Sequence, residues 1–249
     1  MLLVGGLLTS PVWYWPLRSH FVRRGAARFE VAPVWLFHWL GAGLIGPEWS
    51  TSIVADAIER LYDQDGRPIL VVGHSGGGIL ARLALSRRPF GKARRARPEA
   101  AAAIVTLGSP HLATHFGGTI GRHGLRALRF LAEEADSPGL PDPWTLVTIG
   151  AHVTDYSGPL ARLRREFTAA CYRALLGRQG RGEHGDGMVP LRCSVMADRE
   201  HLQLDGFAHA PFLGSPWYFS ERAMDRWWDT ALAAWTRGAS AQPDVRSRP

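Results

Sequence analysis

The stretch PILVVGHSGGGILARLAL, residues 68–85, constrains the fold more than any other part of the chain. Its uncharged run Ile69–Val72 has the composition of a strand buried on both faces. The run stops at Gly73, Ser75 follows two residues later, three glycines come next, and a helical pattern then begins. A strand that turns into a helix within so few residues brings the two backbones nearly into contact. The positions flanking the serine then have no room for side chains, and the serine itself is held strained at the carboxyl end of the strand. Gly73-His74-Ser75-Gly76-Gly77 therefore reads as a turn built to present the Ser75 hydroxyl, with a glycine-rich turn carrying an incidental serine as the plainer reading.

The order of the remaining elements extends this picture. Short apolar runs recur at 2–5, 28–33, 69–72, 102–107, 145–150 and 201–205, and helical patterns lie between several of them. Residues 50–65 place Ile53, Val54, Ala57, Ile58 and Leu61 on one stripe behind a Ser/Thr cap. Residues 158–176 do likewise with Leu160, Leu163, Phe167, Cys171 and Leu175, which predicts a buried Cys171. A third helix, roughly 217–236, carries Trp217, Met224, Trp227, Trp228, Leu232 and Trp235. Strands alternating with helices predict an α/β protein with a mostly parallel six-stranded sheet covered on both faces. Ligands of such sheets sit beyond the carboxyl ends of the strands, which is where Ser75 is expected. A chain of 249 residues with 46% apolar content supports one large domain, and no linker divides it. The expected division is a single domain over 1–236 and a polar, disordered tail over 237–249.

Several function classes recede on composition. The net charge is +7, but the arginines are dispersed apart from RRPFGKARRAR at 87–97, which reads as a solvated loop in preference to an anionic-membrane or nucleic-acid contact. No nucleic-acid partner is expected. The two cysteines, Cys171 and Cys193, cannot build a disulfide framework and are expected to be reduced. The apolar start MLLVGGLLTS has no basic region and no cleavage site, so no signal peptide and a cytoplasmic location are expected. The uncharged stretch 31–47 is too short to span a bilayer and holds Pro33 and three glycines; it reads as a strand end running into an apolar loop.

A serine nucleophile needs a base and an orienting acid, and on a turn of this kind they follow in the order Ser, Asp, His. The acid expected is Asp186 in HGDGMVP, where two glycines set a tight loop; Asp155 and Asp205 are the alternatives, and Asp198 reads as a turn residue. The base expected is His209, in the loop after the last strand; its rival His201 opens that strand and would lie at the wrong end of the sheet. Backbone donors for a developing oxyanion are expected at Gly76 and, from the loop after the first strand, at Leu7, where Gly5-Gly6 lets the chain fold back. No cofactor is expected, and no His/Asp cluster has metal-ligand spacing.

Four segments together, LVGGLLTSPVWYWPL (3–17), VVGHSGGGILARL (71–83), VTLGSPH (105–111) and GDGMVP (185–190), resemble the lipase branch of the α/β-hydrolase superfamily. The likeness is to its GPI-inositol-deacylase-like and bacterial triacylglycerol-lipase groups. LDGFAHAP (204–211) with the following SPWYFSERAMDRWW is similar to small esterase/lipase-like proteins of cyanobacteria and plastids. The resemblance implies an α/β-hydrolase fold, Ser75, Asp186 and His209 as a triad, and hydrolysis of carboxylic esters through an acyl-enzyme. It departs from the family at Gly5-Gly6, where a His-Gly is usual, and implies that the two leading antiparallel strands of the full fold are missing. Residues 111–143, with an amphipathic helix at 124–135, are expected either to form a lid or to pack on the sheet. Trp13, Trp15, Trp35, Trp39 and Trp49 come from segments expected to rim the site and favour an apolar acyl group, with possible contact to a lipid interface. An acyltransferase with the same triad and a non-catalytic lipid-binding protein are the other readings.

Overall fold

The computed structural model describes residues 1–116, 118–135, 144–153, 156–180 and 182–241. The six apolar runs form six strands: β1 (Leu2–Val4), β2 (Glu30–Val31), β3 (Ile69–His74), β4 (Ala101–Leu107), β5 (Thr145–His152) and β6 (Glu200–Asp205). They make one sheet in the order β2-β1-β3-β4-β5-β6, and every neighbouring pair is parallel. The expected α/β architecture is borne out. The chain runs from β1 outward to β2, then crosses back over β1 to β3. Strand order therefore reverses between β1 and β3, and open α/β sheets bind ligands in the crevice beyond the carboxyl ends at such a point. Gly5 and Ser75 both lie at that point.

Eight helices complete the described residues: α1 (Arg18–Arg23), α2 (Leu36–Leu44), α3 (Glu48–Asp65), α4 (Gly76–Ala84), α5 (Gly118–Ala135), α6 (Ala161–Leu176), α7 (Leu191–Ser194) and α8 (Glu221–Ala241). Alternation along the strands divides the core in two. Leu2, Val4, Val71 and Ile104 pack under α3 and α4 with Val54, Ile58, Leu61 and Leu80. Leu3, Val72, Val105, Val147 and Ile149 face the other way, onto Phe21, Met224, Trp227 and Trp228.

Four expectations need correction. Residues 31–47 contain helix α2 instead of an apolar loop, and the Trp35 N–H is capped by His38 Nδ1 at 2.9 Å. Helix α8 starts later than expected and runs to Ala241, five residues into the stretch expected to be a tail. There the small residues let it lie on the sheet: Ala234 and Gly238 are buried, and a side chain at Gly238 would overlap the Ala102 carbonyl. Residues 242–249 lie outside the described residues. The apolar stripe of α6 is not buried on the sheet. The helix covers Ala161, Tyr172 and Leu176, whereas Leu160, Leu163 and Phe167 are exposed and Cys171 is half-buried. That stripe meets the loop after β6, with Phe167 5.8 Å from Phe212. The amphipathic stretch at 124–135 belongs to α5, whose Ala127 and Leu131 pack on Leu83 and Phe90. The helix starts earlier than expected, at Gly118, and packs on α4 and α2. Residues 117 and 136–143 of the expected lid segment lie outside the described residues.

Arg88, Arg94 and Arg97 of the basic cluster are paired locally. Arg88 pairs with Glu133 and Glu134 of α5, Arg94 with Asp56, and Arg97 with Glu59 and Asp63 of α3. Both cysteines are free thiols, and burial pushes Cys171 up to about 11 and Cys193 up to about 12. Among the described residues no helix is long and apolar enough to cross a membrane.

Candidate active site

The turn from β3 into α4 has the geometry its glycines foretell. Ser75 has φ 55° and ψ −129°, a conformation that side-chain-bearing residues adopt only under strain. Its N–H is tied to the Leu107 carbonyl of β4 at 2.8 Å. A side chain at Gly73 would overlap Gly78, one at Gly77 would overlap the Val4 carbonyl, and one at Gly78 would overlap Ser109. Strand, turn and helix are in backbone contact, so only the partly exposed Ser75 carries a functional group outward.

Asp186 sits in a loop that the chain closes on itself, with Gly185 and Pro190 bridged and Gly187 at φ 99°. The carboxylate is fully buried and takes four donors. Oδ1 accepts the Met188 and Val189 N–H groups at 2.9 and 2.8 Å, and Oδ2 accepts His209 Nδ1 at 2.7 Å and the Tyr218 hydroxyl at 3.0 Å. A buried carboxylate is tolerable only when its lone pairs are satisfied in this way. The backbone repeats the link, since the His209 N–H donates to the Asp186 carbonyl at 2.8 Å.

The other nitrogen of that imidazole is the exception. His209 Nε2 is buried and has no hydrogen-bond partner among the described residues. Its ring lies 4.7 Å, centroid to centroid, from the ring of His74, the residue before Ser75. A buried imidazole nitrogen left without a partner is costly unless it has a use. In unliganded sites the contact between a base and its nucleophile is commonly loose.

Opposite the histidine lies the loop after β1. Gly6 abuts the serine, since a Cβ there would stand 2.8 Å from Ser75 Cβ. Leu7 N would be 3.6 Å from a Cβ on Gly76, so the two expected oxyanion donors are near neighbours. The next residue, Leu8, holds a positive φ of 60°. Trp39 covers this corner, its ring edge 3.2 Å from a Cβ on Gly76.

The structure thus brings Ser75, Asp186, His209, Leu7 and Gly76 to one end of the sheet. His201 is exposed at the start of β6, and its ring bonds the nearby Arg199 carbonyl. Asp205 is exposed at the end of β6, 3.6 Å from His152, and Asp155 lies outside the described residues. Sequence reasoning missed Tyr218, Tyr14 and the role of His74, the variable residue of the serine motif. Burial and the Asp186 charge push the Tyr218 phenol well above its ordinary value, so it remains a donor. Burial, reinforced by the His209 charge, holds His74 well below the usual imidazole range.

Around the crevice, the segments leaving the carboxyl ends of the strands expose large apolar side chains. Leu7, Trp13 and Trp15 follow β1, Leu36, Phe37, Leu40, Leu44 and Ile45 follow β2, and Leu163, Phe167 and Phe212 follow β5 and β6. Singly these mean little; together they give the segments at this end of the sheet a strongly apolar exposed surface. A cavity of about 520 Å³ lies at the opposite edge of the sheet, between Met1, Arg28, Asp65 and Trp235, and has no part in this site.

Comparison with known proteins agrees with the architecture. Residues 49–121 match the family model for the PGAP1-like alpha/beta domain. The mature form of the Bacillus licheniformis lipase BlEst2 superimposes with a TM-score of 0.60 at 15% identity, over 94% of this chain and 90% of that one. EstA from Clostridium botulinum superimposes with a TM-score of 0.51 at 12% identity, over 97% of this chain and 88% of that one. No curated protein matches the sequence significantly. The parallel sheet, its strand order and these superpositions establish that the chain has the α/β-hydrolase fold.

Proposed function

We propose that the protein is a serine hydrolase of carboxylic esters, with Ser75 as nucleophile, His209 as general base and Asp186 as the group that orients it. The observation that carries this reading is the buried Asp186–His209 pair, whose imidazole keeps one nitrogen unpartnered and packs against His74, the residue before a strained serine. His209 Nε2 takes the Ser75 proton as Oγ adds to the ester carbonyl carbon, and the carbonyl electrons move to oxygen. The Leu7 and Gly76 N–H groups receive that oxyanion. Collapse breaks the bond to the alkoxy oxygen, which leaves with the proton from His209 Nε2, and an acyl-Ser75 remains. Water then adds to the acyl carbon, gives its proton to His209, and the second collapse returns that proton to Ser75 Oγ. Asp186 keeps its charge throughout, which its four donors favour.

The apolar rim supports an ester with an apolar acyl chain, presented from a lipid interface. The name of one superimposed protein, the lipase BlEst2, agrees with that substrate class. The test is labelling with a fluorophosphonate, followed by peptide mass spectrometry, alongside turnover of p-nitrophenyl esters of two to sixteen carbons. The adduct should sit on Ser75, and Ser75→Ala should lose on the order of 10⁴–10⁶ in kcat while remaining folded. An adduct elsewhere, or retained turnover in the alanine variant, would overturn the assignment.

A further inference from the structure

Tyr14 and His74 take no part in the proton transfers above, yet both are buried among the groups that do. Tyr14 reaches the oxyanion loop because Gly5 has no side chain, since a Cβ there would stand 2.6 Å from Tyr14 Cε2. Its hydroxyl oxygen accepts the Gly6 N–H at 3.1 Å and lies 2.9 Å from His74 Nδ1. On the far side of the same imidazole, Nε2 is 3.1 Å from the His209 carbonyl oxygen. A carbonyl can only accept, so the proton of a neutral His74 is on Nε2. Nδ1 is then an acceptor, and the Tyr14 hydroxyl must donate to it. The chain is directed at every step: Gly6 N–H to Tyr14, Tyr14 O–H to His74 Nδ1, His74 Nε2–H to the His209 carbonyl.

We propose that Tyr14 and His74 are positioning residues that hold the oxyanion loop and the general-base loop in register with Ser75. The proposal rests on the triad reading given above. The reacting groups come from three separate segments: the loop after β1, the β3–α4 turn and the loop after β6. Such a site works only if its parts are held within about 0.5 Å of their productive places, and a misplacement of about 1 Å costs on the order of 10²-fold in rate. His74 is bonded in sequence to Ser75, and its ring spans the gap between the two loops. Its neutrality is part of the device. A protonated His74 could not accept from Tyr14, and it would set a cation against the histidine that must itself become charged. Trp217, Tyr218 and Phe219 ring the imidazole and exclude water.

The test uses the full chain and four variants, Tyr14→Phe, His74→Phe, the double variant and His74→Gln, with Ser75→Ala as the reference for background. Active sites are counted by exhaustive fluorophosphonate labelling, and kcat and KM are measured on a soluble p-nitrophenyl ester. Tyr14→Phe and His74→Phe should each lower kcat per titrated site by about 10–100-fold, with KM changed less than about threefold. The double variant should be no worse than about the more impaired single, because both interrupt one chain. His74→Gln keeps one acceptor and one donor and should recover most of the loss. A melting temperature that falls while kcat per titrated site stays within twofold of the parent would overturn the positioning role. If Ser75→Ala is itself active, the triad reading falls and the proposal falls with it. If Ser75→Ala is inactive and the Tyr14 and His74 variants turn over normally, only the positioning role is lost.

Discussion

Tyr218 and His209 donate to the same oxygen, Asp186 Oδ2, at 3.0 and 2.7 Å. The imidazole is therefore oriented by a carboxylate that is itself pinned by a phenol on the segment leading into α8. Tyr218→Phe leaves Asp186 three donors, and a fall in kcat below about tenfold is expected, in line with the loss of one hydrogen bond to a charged group. Asp186→Asn, which misorients the base, should cost about 10⁴-fold. Steady-state kinetics on one ester would compare them. Equal losses would mean that the phenol does more than brace the acid.

The two histidines after Asp186 separate cleanly. His209→Ala should lower kcat by several orders of magnitude, whereas the exposed His201 should tolerate alanine with a change under tenfold. A dead His201 variant with an active His209 variant would reverse the assignment of the base.

Two buried histidines also make stability depend on pH. His74 and His111 are both held well below their ordinary value by burial, His111 further by Arg82. The unfolded chain protonates these rings near pH 6.5 and the folded chain does not, so below that point the unfolded state binds more protons. Stability is full above about pH 7 and should fall as pH drops, by about 1.4 kcal/mol per pH unit for each group. Urea unfolding at pH 7.5, 6.5 and 5.5 would measure the slope, and His111→Gln should reduce it. Midpoints that stay level across this range would contradict the linkage.

The rim predicts where the protein meets lipid. Leu40 and Leu44 are exposed on α2 and touch none of the proposed reacting groups. The paired change Leu40→Glu and Leu44→Glu should leave turnover of a soluble short-chain ester within twofold of the parent. Sedimentation with phosphatidylcholine vesicles, and activity on an emulsified long-chain ester, should both drop at least fivefold, because two charges would have to enter an apolar interface. Unchanged sedimentation would place the lipid contact elsewhere.

How much of this was legible in the sequence varies with the kind of signal. The four central strands were, because a run buried on both faces must be nearly continuously apolar, as around Val71 and Ile104. The partly exposed edge strands β2 and β6 showed only short or alternating apolar residues. Asp186 and His209 were narrowed by chain order and by glycines that demand a tight loop. Tyr14 and Tyr218 were not, since a lone tyrosine has no spacing to mark it and its partner is fixed only by the closed tertiary fold. Helix α6 shows a second limit. The Leu160–Leu163–Phe167 stripe was visible, but periodicity tells that a face is apolar and not what lies opposite it, which here is the open rim. For α2, the glycines suggested a loop, yet the His38 cap and the packed Trp39 make a helix of it.

The backbone contacts at Gly73, Gly77 and Gly78 bear on how this protein could be changed. Where a strand and a helix touch with no side chain between them, Gly73, Gly77 and Gly78 cannot be replaced to give the Ser75 turn a new orientation. Altered substrate preference, whether acquired naturally or sought by directed evolution, has to come from the peripheral segments 7–17, 35–45 and 160–167. A mutational library confined to those stretches would sample the protein's adjustable part while leaving its invariant hinge untouched.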